Sequence, residues 1–161
     1  MLITLSINGK SYAVDVAPDE KLLDTLRERL QITSVKRGCE NGDCGACTVL
    51  LDGDPIASCI FLTIKACGHN VQTIEAFSVP GSLHPIQEKF RQRGVFQCGF
   101  CAPGATLSII SLLNRDSTPS EKAIRTAISG NLCRCTGYVE IVEAVKEYIA
   151  EQKDGVPYAK E

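Results

Sequence analysis

The sequence predicts an α+β fold in which a first half of strands and short helices is followed by a second half that is entirely helical. Three observations carry this expectation. Apolar residues alternate with period two in two runs near the start, on either side of Asn8-Gly9. After Pro80-Gly81 they recur only at helical spacing. Cysteine is abundant, and eight of the nine (Cys39, Cys44, Cys47, Cys59, Cys67, Cys98, Cys101, Cys133 and Cys135) fall into two sets, one in each half. Each half is near the size at which an apolar core alone is marginal, so a bound metal centre would help hold it together.

The elements follow in order. Ile3, Leu5 and Ile7 alternate with Thr4 and Ser6, as in a half-buried strand. Asn8-Gly9 is a preferred dipeptide of the type I′ hairpin. Tyr12, Val14 and Val16 then alternate again. Pro18-Asp19-Glu20 opens a helix, because a first turn tolerates Pro and favours acids. Leu22, Leu23, Leu26 and Leu30 give that helix one apolar face. A Gly- and Cys-rich loop covers residues 38–47. Thr48–Leu51, Asp52-Gly53 and residues 55–57 read as a second hairpin. A short helix over 59–66 and a strand over 71–74 complete this half.

The pattern changes over residues 76–82, so two domains are expected, 1–77 and 78–161. Helices are expected over 83–92, 104–114, 119–128 and 138–151. Pro103 suits the start of the second. Thr118-Pro119-Ser120-Glu121 reads as a capping box with Pro at the first helical position. Val142, Val145 and Ile149 form the apolar stripe of the last helix. The polar residues 154–161 are expected to fray.

Composition excludes several classes. With 44% hydrophobic and 22% charged residues the chain is ordinarily globular, not disordered. No stretch approaches the roughly 18 apolar residues of a membrane helix. The net charge is −2, with 6% aromatics and no Trp, so there is no nucleic-acid footprint. The start MLITLSINGK has no basic n-region, apolar h-region or twin arginine, and a cytoplasmic location is expected.

The cysteines carry the chemistry. A disulfide scaffold conflicts with the odd count, the missing signal and the chain length. Cys39, Cys44, Cys47 and Cys59 stand as C-x4-C-x2-C-x11-C. That is the plant-type pattern for a [2Fe–2S] cluster. Gly38, Gly42 and Gly45 let backbone N–H groups approach an anionic cluster and offset its charge. Four-cysteine zinc sites usually show two knuckles, and here Cys59 stands alone.

The second set is Cys98-Gly-Phe-Cys101 and, after a spacer of 31 residues, Cys133-Arg-Cys135. By spacing alone it suits a zinc site or a redox dithiol as well. Each pair precedes an expected helix, whose N-terminus stabilises thiolates. Cys67 is left over and is expected to be a buried small hydrophobe. Cys67-Gly68-His69 invites a Rieske reading, but His84 has no nearby cysteine, so that reading fails. His69 and His84 are expected on the surface or in loops. Phe96 and Phe100 flank the second set as shields or as core, and Arg134 is open between a cluster charge and a surface contact. No G-x-G-x-x-G, P-loop or general-base arrangement appears, so no substrate site is expected on this chain.

Taken together, Cys39, Cys44, Cys47 and Cys59, then QCGFCAPG at residues 97–104 and GNLCRCTGY at residues 130–138, resemble the iron–sulfur subunit of the molybdenum hydroxylases, the xanthine dehydrogenase family. The resemblance runs from the first strand to about residue 150. It implies a ferredoxin-like β-grasp domain holding one [2Fe–2S] cluster on Cys39, Cys44, Cys47 and Cys59. It also implies a C-terminal four-helix bundle holding a second on Cys98, Cys101, Cys133 and Cys135. It implies that Gln97 and Cys135 approach a molybdopterin on a large partner subunit. Electrons would leave through the N-terminal cluster to FAD on a medium subunit or to another acceptor, in a dimer of heterotrimers. Ala102 departs from the Thr expected there, which removes a hydroxyl but no ligand. The substrate of such a complex would be a purine or other N-heterocycle, with aldehydes, aromatic acyl-CoA esters and carbon monoxide as alternatives. Two competing readings are a free-standing ferredoxin with a zinc-stabilised helical domain and a zinc-dependent adaptor.

Overall fold

The computed structural model of the chain describes residues 1–79 and 81–153. Residues 154–161, expected to fray, lie outside the described residues. β1 (Leu2–Ile7) and β2 (Lys10–Asp15) pair antiparallel from Leu2↔Asp15 to Ile7↔Lys10. Asn8 and Gly9 both have positive φ, 52° and 75°, as the type I′ turn requires. β3 (Thr48–Leu51) and β4 (Asp54–Ala57) form the second expected hairpin, Thr48↔Ala57 to Leu51↔Asp54. β5 (Asn70–Gln72) lies between them, parallel to β1 and antiparallel to β3. The sheet order is β2-β1-β5-β3-β4.

One helix packs on this sheet. It begins as a single turn, α1 (Leu22–Asp24), and continues as a π-helical turn over Thr25–Arg29. It starts later than the Pro-Asp-Glu signal predicts. Lys21 is extended and bridges to Leu62, and Leu22 N donates to Phe61 O, so a strand-like pairing occupies the expected first turn. Leu22, Leu23 and Leu26 are buried with Leu5, Ile7, Val14, Val49 and Val71 in one core. That arrangement fits a ferredoxin-like domain. The expected helix over 59–66 is only a 3-10 turn, Thr63–Ala66. The strand expected over 71–74 ends at Gln72, and Ile74–Phe77 tightens into another 3-10 turn.

The expected break holds a small unpredicted ladder, β6 (Ser78–Val79) with β7 (Ser82–Leu83). Four helices follow: α2 (Pro85–Gln92), α3 (Ala102–Arg115), α4 (Glu121–Ala127) and α5 (Val139–Lys153). Their shared core contains Ile86, Phe90, Ile109, Ile110, Ile124, Val142, Val145 and Ile149. His84 is not a mere loop residue. It caps α2, its Nδ1 accepting from Ile86 N (3.3 Å) while Gln87 Oε1 accepts from His84 N (2.9 Å). α4 starts two residues later than the sequence signal, at Glu121, because Ser120 Oγ accepts from Ala123 N (3.2 Å). Thr118 instead belongs to the preceding turn, its N–H donating to Asp116 Oδ1 (2.9 Å).

α3 is buried on every side, with no exposed residue from Gly104 to Ser111. It lies between the other helices and β3. β3 is therefore covered on both faces: Val49 points into the sheet core, and Leu50, one residue on, faces the other way and is also fully buried. Ser111 Oγ donates to Gly53 O (2.7 Å), and Arg115 pairs with Asp54, tying α3 to the β3–β4 turn. Among the described residues no helix is long and apolar enough to cross a membrane.

Candidate metal centres

The loop at residues 38–47 folds back on itself through its own cysteines. Cys39 N donates to Cys44 Sγ (3.4 Å) and Cys44 N donates to Cys39 Sγ (3.3 Å). The Asn41 N–H, followed by that of Cys44, lowers the Cys39 thiol to about 6. These are the donors an anionic sulfur cluster needs. The chain must come very close here. A Cβ on Gly38 would sit 2.7 Å from Cys44 Sγ. A Cβ on Gly45, whose φ is 66°, would collide with Gly130 O.

Cys47 and Cys59 lie beneath the loop, both buried. Buried Ser58 holds the Cys47 carbonyl through Oγ (2.7 Å). Burial, then the neighbouring Cys47 thiol, pushes Cys59 up to about 12. The first set thus pairs an outer Cys39/Cys44 with an inner Cys47/Cys59.

The second set has the same layout. Cys98 and Cys135 are exposed, with their Sγ atoms 3.7 Å apart. Cys101 immediately precedes α3 and is buried, and its thiol hydrogen-bonds Cys133. Burial, then Cys133, pushes the Cys101 thiol up to about 12. Burial alone would raise Cys133, but the Thr136 hydroxyl at 3.1 Å and the Thr136 and Cys135 N–H groups outweigh it and lower that thiol. Cys133 N donates to Tyr138 Oη (2.9 Å) across a turn in which Tyr138 itself takes φ 69°. Gln97 Nε2 donates to Cys135 O (3.3 Å), so the two residues expected to approach a pterin stand side by side and exposed.

The structure brings the eight cysteines together in four pairs, Cys39 with Cys44, Cys47 with Cys59, Cys98 with Cys135 and Cys101 with Cys133. Among the described residues no three His, Cys, Asp or Glu side chains converge as one metal ion would require. The thiols instead form pairs, two pairs to a set. A single tetrahedral zinc draws four ligands to one point. A [2Fe–2S] cluster has two irons, each taking two of its four thiolates, so the donor set fits that cluster.

The two sets are in contact. Leu132 N donates to Cys44 O (2.9 Å), linking the residue before Cys133 to a cysteine of the first set. Asn131, buried, donates to Gly45 O (3.0 Å) and Thr48 Oγ1 (3.1 Å) and accepts from Ser108 Oγ (2.8 Å). Asn131, Thr136 and Tyr138 lie in the GNLCRCTGY segment, but their hydrogen-bonding roles, like that of Thr48, went unread in the sequence. Their partners come from other elements or from a turn of unusual φ, and no local pattern announces either.

The other expectations divide. Cys67 is exposed, not buried: it leaves the Thr63–Ala66 turn in extended backbone just before Gly68 (φ 80°). His69 is on the surface as expected, 2.5 Å from Asp52. Phe96 is core, stacked edge-on against Phe90 at 5.4 Å. Phe100 is 46% exposed and leans towards the Gly38 loop. Arg134 is exposed. A groove of about 570 Å³ lined by Phe90, Arg91, Val95, Phe96 and Pro103, among others, contains no His, Cys, Asp or Glu.

Residues 5–69 match the 2Fe-2S iron-sulfur cluster binding domain family, and residues 73–146 match the [2Fe-2S] binding domain family. The nicotinate dehydrogenase small FeS subunit of Eubacterium barkeri is 42% identical over 144 residues, covering 89% of this chain and 92% of that protein. The caffeine dehydrogenase subunit gamma of Pseudomonas sp. (strain CBB1) is 43% identical, covering 90% of this chain and 89% of that one. A chain of quinoline 2-oxidoreductase from Pseudomonas putida 86 superposes with a TM-score of 0.89 at 41% identity, covering 96% of each chain. With two iron–sulfur domain matches end to end and relatives matched over nearly their whole length, this chain belongs to the iron–sulfur subunits of the molybdenum hydroxylases, the xanthine dehydrogenase family, and is the iron–sulfur subunit of an oxidoreductase.

Proposed function

We propose that this chain is the electron-transfer subunit of a heteromeric molybdenum hydroxylase. It would carry electrons from a molybdopterin on a large subunit to FAD on a medium subunit. The single observation behind this reading is the pairing of eight thiols in two sets whose loops share a hydrogen bond. Cys39 with Cys44 and Cys47 with Cys59 would hold one [2Fe–2S] cluster, in a domain spanning residues 1–77. Cys98 with Cys135 and Cys101 with Cys133 would hold the other, in a four-helix bundle spanning residues 78–161. Phe77, at the end of the first span, already packs against the helical core, so the boundary is a shared one. Bound there, the two clusters supply one-electron carriers at potentials set by ligation, hydrogen bonds and exposure.

The chain's own groups then have definite roles. Cys47, Cys59 and Cys101 are buried and keep water from the inner side of each site. Cys98, Cys135 and Gln97 face outward and form the side towards the pterin. Cys39 is the exposed thiol on the side towards the flavin. Between them, the Cys44 carbonyl and the Leu132 N–H join the two loops by one hydrogen bond of 2.9 Å. The assembly is a dimer of heterotrimers. Its substrate is a purine or other N-heterocycle, in keeping with relatives named for nicotinate, caffeine and quinoline.

Low-temperature EPR of the dithionite-reduced protein, with spins integrated per chain, tests this reading. Two distinct S = 1/2 signals of about one spin each support it. One signal, with zinc found by metal analysis, would shift the chain to a ferredoxin with a zinc-stabilised helical domain.

A further inference from the structure

The contact between the two cysteine sets is built more closely than two surfaces merely brought together. Gly104, in the first turn of α3, lies so close to Gly45 that a Cβ there would strike the Gly45 carbonyl oxygen. Gly45 in turn lies against Gly130 O and Asn131. One side chain stands at the centre of this arrangement. Asn131 is 4% exposed, and its amide is fully engaged in three directions. It reaches Gly45 O, between Cys44 and Cys47; Thr48 Oγ1, at the start of β3; and Ser108 Oγ, in the middle of α3. Thr48 Oγ1 donates onward to the same Gly45 O (2.7 Å). Leu132, the next residue, makes the backbone hydrogen bond to Cys44 O that spans the two sets.

We propose that Asn131 is a positioning residue for electron transfer between the two cluster sites: it clamps Gly45 from the helical side and so holds Leu132 N on Cys44 O. This rests on the two-cluster reading above. The chemistry favours an amide at this place. Only Asn or Gln offers two N–H donors for two oxygens and an acceptor for a hydroxyl in one planar group. Asp has the shape of Asn but would set a carboxylate against the Gly45 carbonyl, replacing the donor from the helical side by a repulsive acceptor and leaving Gly45 O to the Thr48 donors. Ala would leave Gly45 O to the two Thr48 donors alone, take the acceptor from Ser108 Oγ and open a space beside them. In either case the 2.9 Å bridge loses the group that fixes its register, whereas all eight thiols remain.

The test uses the assembled complex and the variants Asn131→Ala and Asn131→Asp. Spin integration first establishes two reduced cluster signals in the parent; fewer than two would overturn the reading of function, and this role with it, before any variant is compared. Intercluster transfer is then followed by pulsed one-electron reduction. The splitting of each EPR signal by its neighbour is read in the fully reduced state, and deuterium uptake is measured at the peptide carrying Leu132. The expected result is unchanged iron content and two signals in both variants. Re-equilibration should be slower by about tenfold or more, since small misplacements at a reacting contact have effects of this order. A smaller splitting and faster exchange at Leu132 should accompany it. Unchanged rate and splitting in variants that keep both signals would overturn the proposal. So would loss of the same signal from both variants, which would make Asn131 a determinant of cluster retention and not of coupling.

Discussion

Glu20 shows what a single side chain contributes away from the cysteines. Its carboxylate accepts from Arg29 Nε and Nη2, both at 2.7 Å, and from Thr25 Oγ1 at 2.7 Å. Hydrogen bonding to Arg29, against the opposing effect of burial, lowers it to about 2. The folded value lies below the ordinary one of 4.5, so the unfolded chain binds the extra proton. The contribution is therefore complete above about pH 4.5 and disappears as the pH falls towards 2. Glu20→Gln should cost about 1 kcal/mol at neutral pH. The difference from the parent should shrink as the pH drops, which denaturant midpoints from neutral pH to about pH 3 would measure. Cys67 makes the opposite case. It is exposed and outside both thiol sets, so Cys67→Ser should leave four irons per chain. Loss of two irons from that variant would mean that the ligands are wrongly assigned. The first set of cysteines was legible as a cluster motif from its spacing, whereas the spacing of the second suited zinc or a redox dithiol as well, and its cluster came only with the resemblance. Cys67 was misjudged because burial depends on how the Gly68 turn leaves the chain, which composition does not encode.

At the scale of elements, the hairpins were the most legible. Asn8-Gly9 and Asp52-Gly53 each need two positive φ values, and few residue pairs supply them. Helix starts were less so. Pro18 and Pro119 are permissive signals, and stronger competitors set the starts: the long-range Lys21–Leu62 bridge in one case and the neighbouring Ser120 hydroxyl in the other. α3 was the deepest surprise. Its range was expected, but its polar residues Thr106, Ser108 and Ser111 are buried too. Ser108 and Ser111 are satisfied by Asn131 and Gly53 O. Close approach at its first turn makes a sharp prediction. Gly104→Ala should destabilise the chain by about 2–3 kcal/mol, as overpacking against fixed backbone does. Calorimetry or a denaturant titration would show it, and a change below about 0.5 kcal/mol would mean the Gly45 loop moves freely.

At the scale of the whole molecule, two apolar cores meet along α3, β3 and the cysteine loops. The contact involves the backbone of Cys44 but not its thiol. Cys44→Ala should therefore lose the N-terminal cluster alone. Substrate or dithionite should still reduce the C-terminal one, while transfer to the acceptor stops. Metal analysis should find two irons in place of four, and disappearance of both EPR signals would show that the two sites are not loaded independently. The shift from strands to helices was legible because the period-two runs all end before Pro80-Gly81. The joint between the parts was not. It is made of glycine close approach, two serines and one asparagine, residue types that sequence reading assigns to turns and surfaces.

The burial of β3 on both sides has a consequence for synthesis. The chain leaves the ribosome from its N-terminus, so the five sheet strands emerge before any residue of α3. Until Ala102–Arg115 arrives, the outer face of β3, with Leu50 at its centre, has no cover. The nascent sheet therefore passes through an interval in which it presents an apolar strand to its surroundings. Shortening the wait between Leu51 and Ala102, for example by faster codons, should raise soluble yield, and slower codons in that stretch should raise the fraction captured by chaperones.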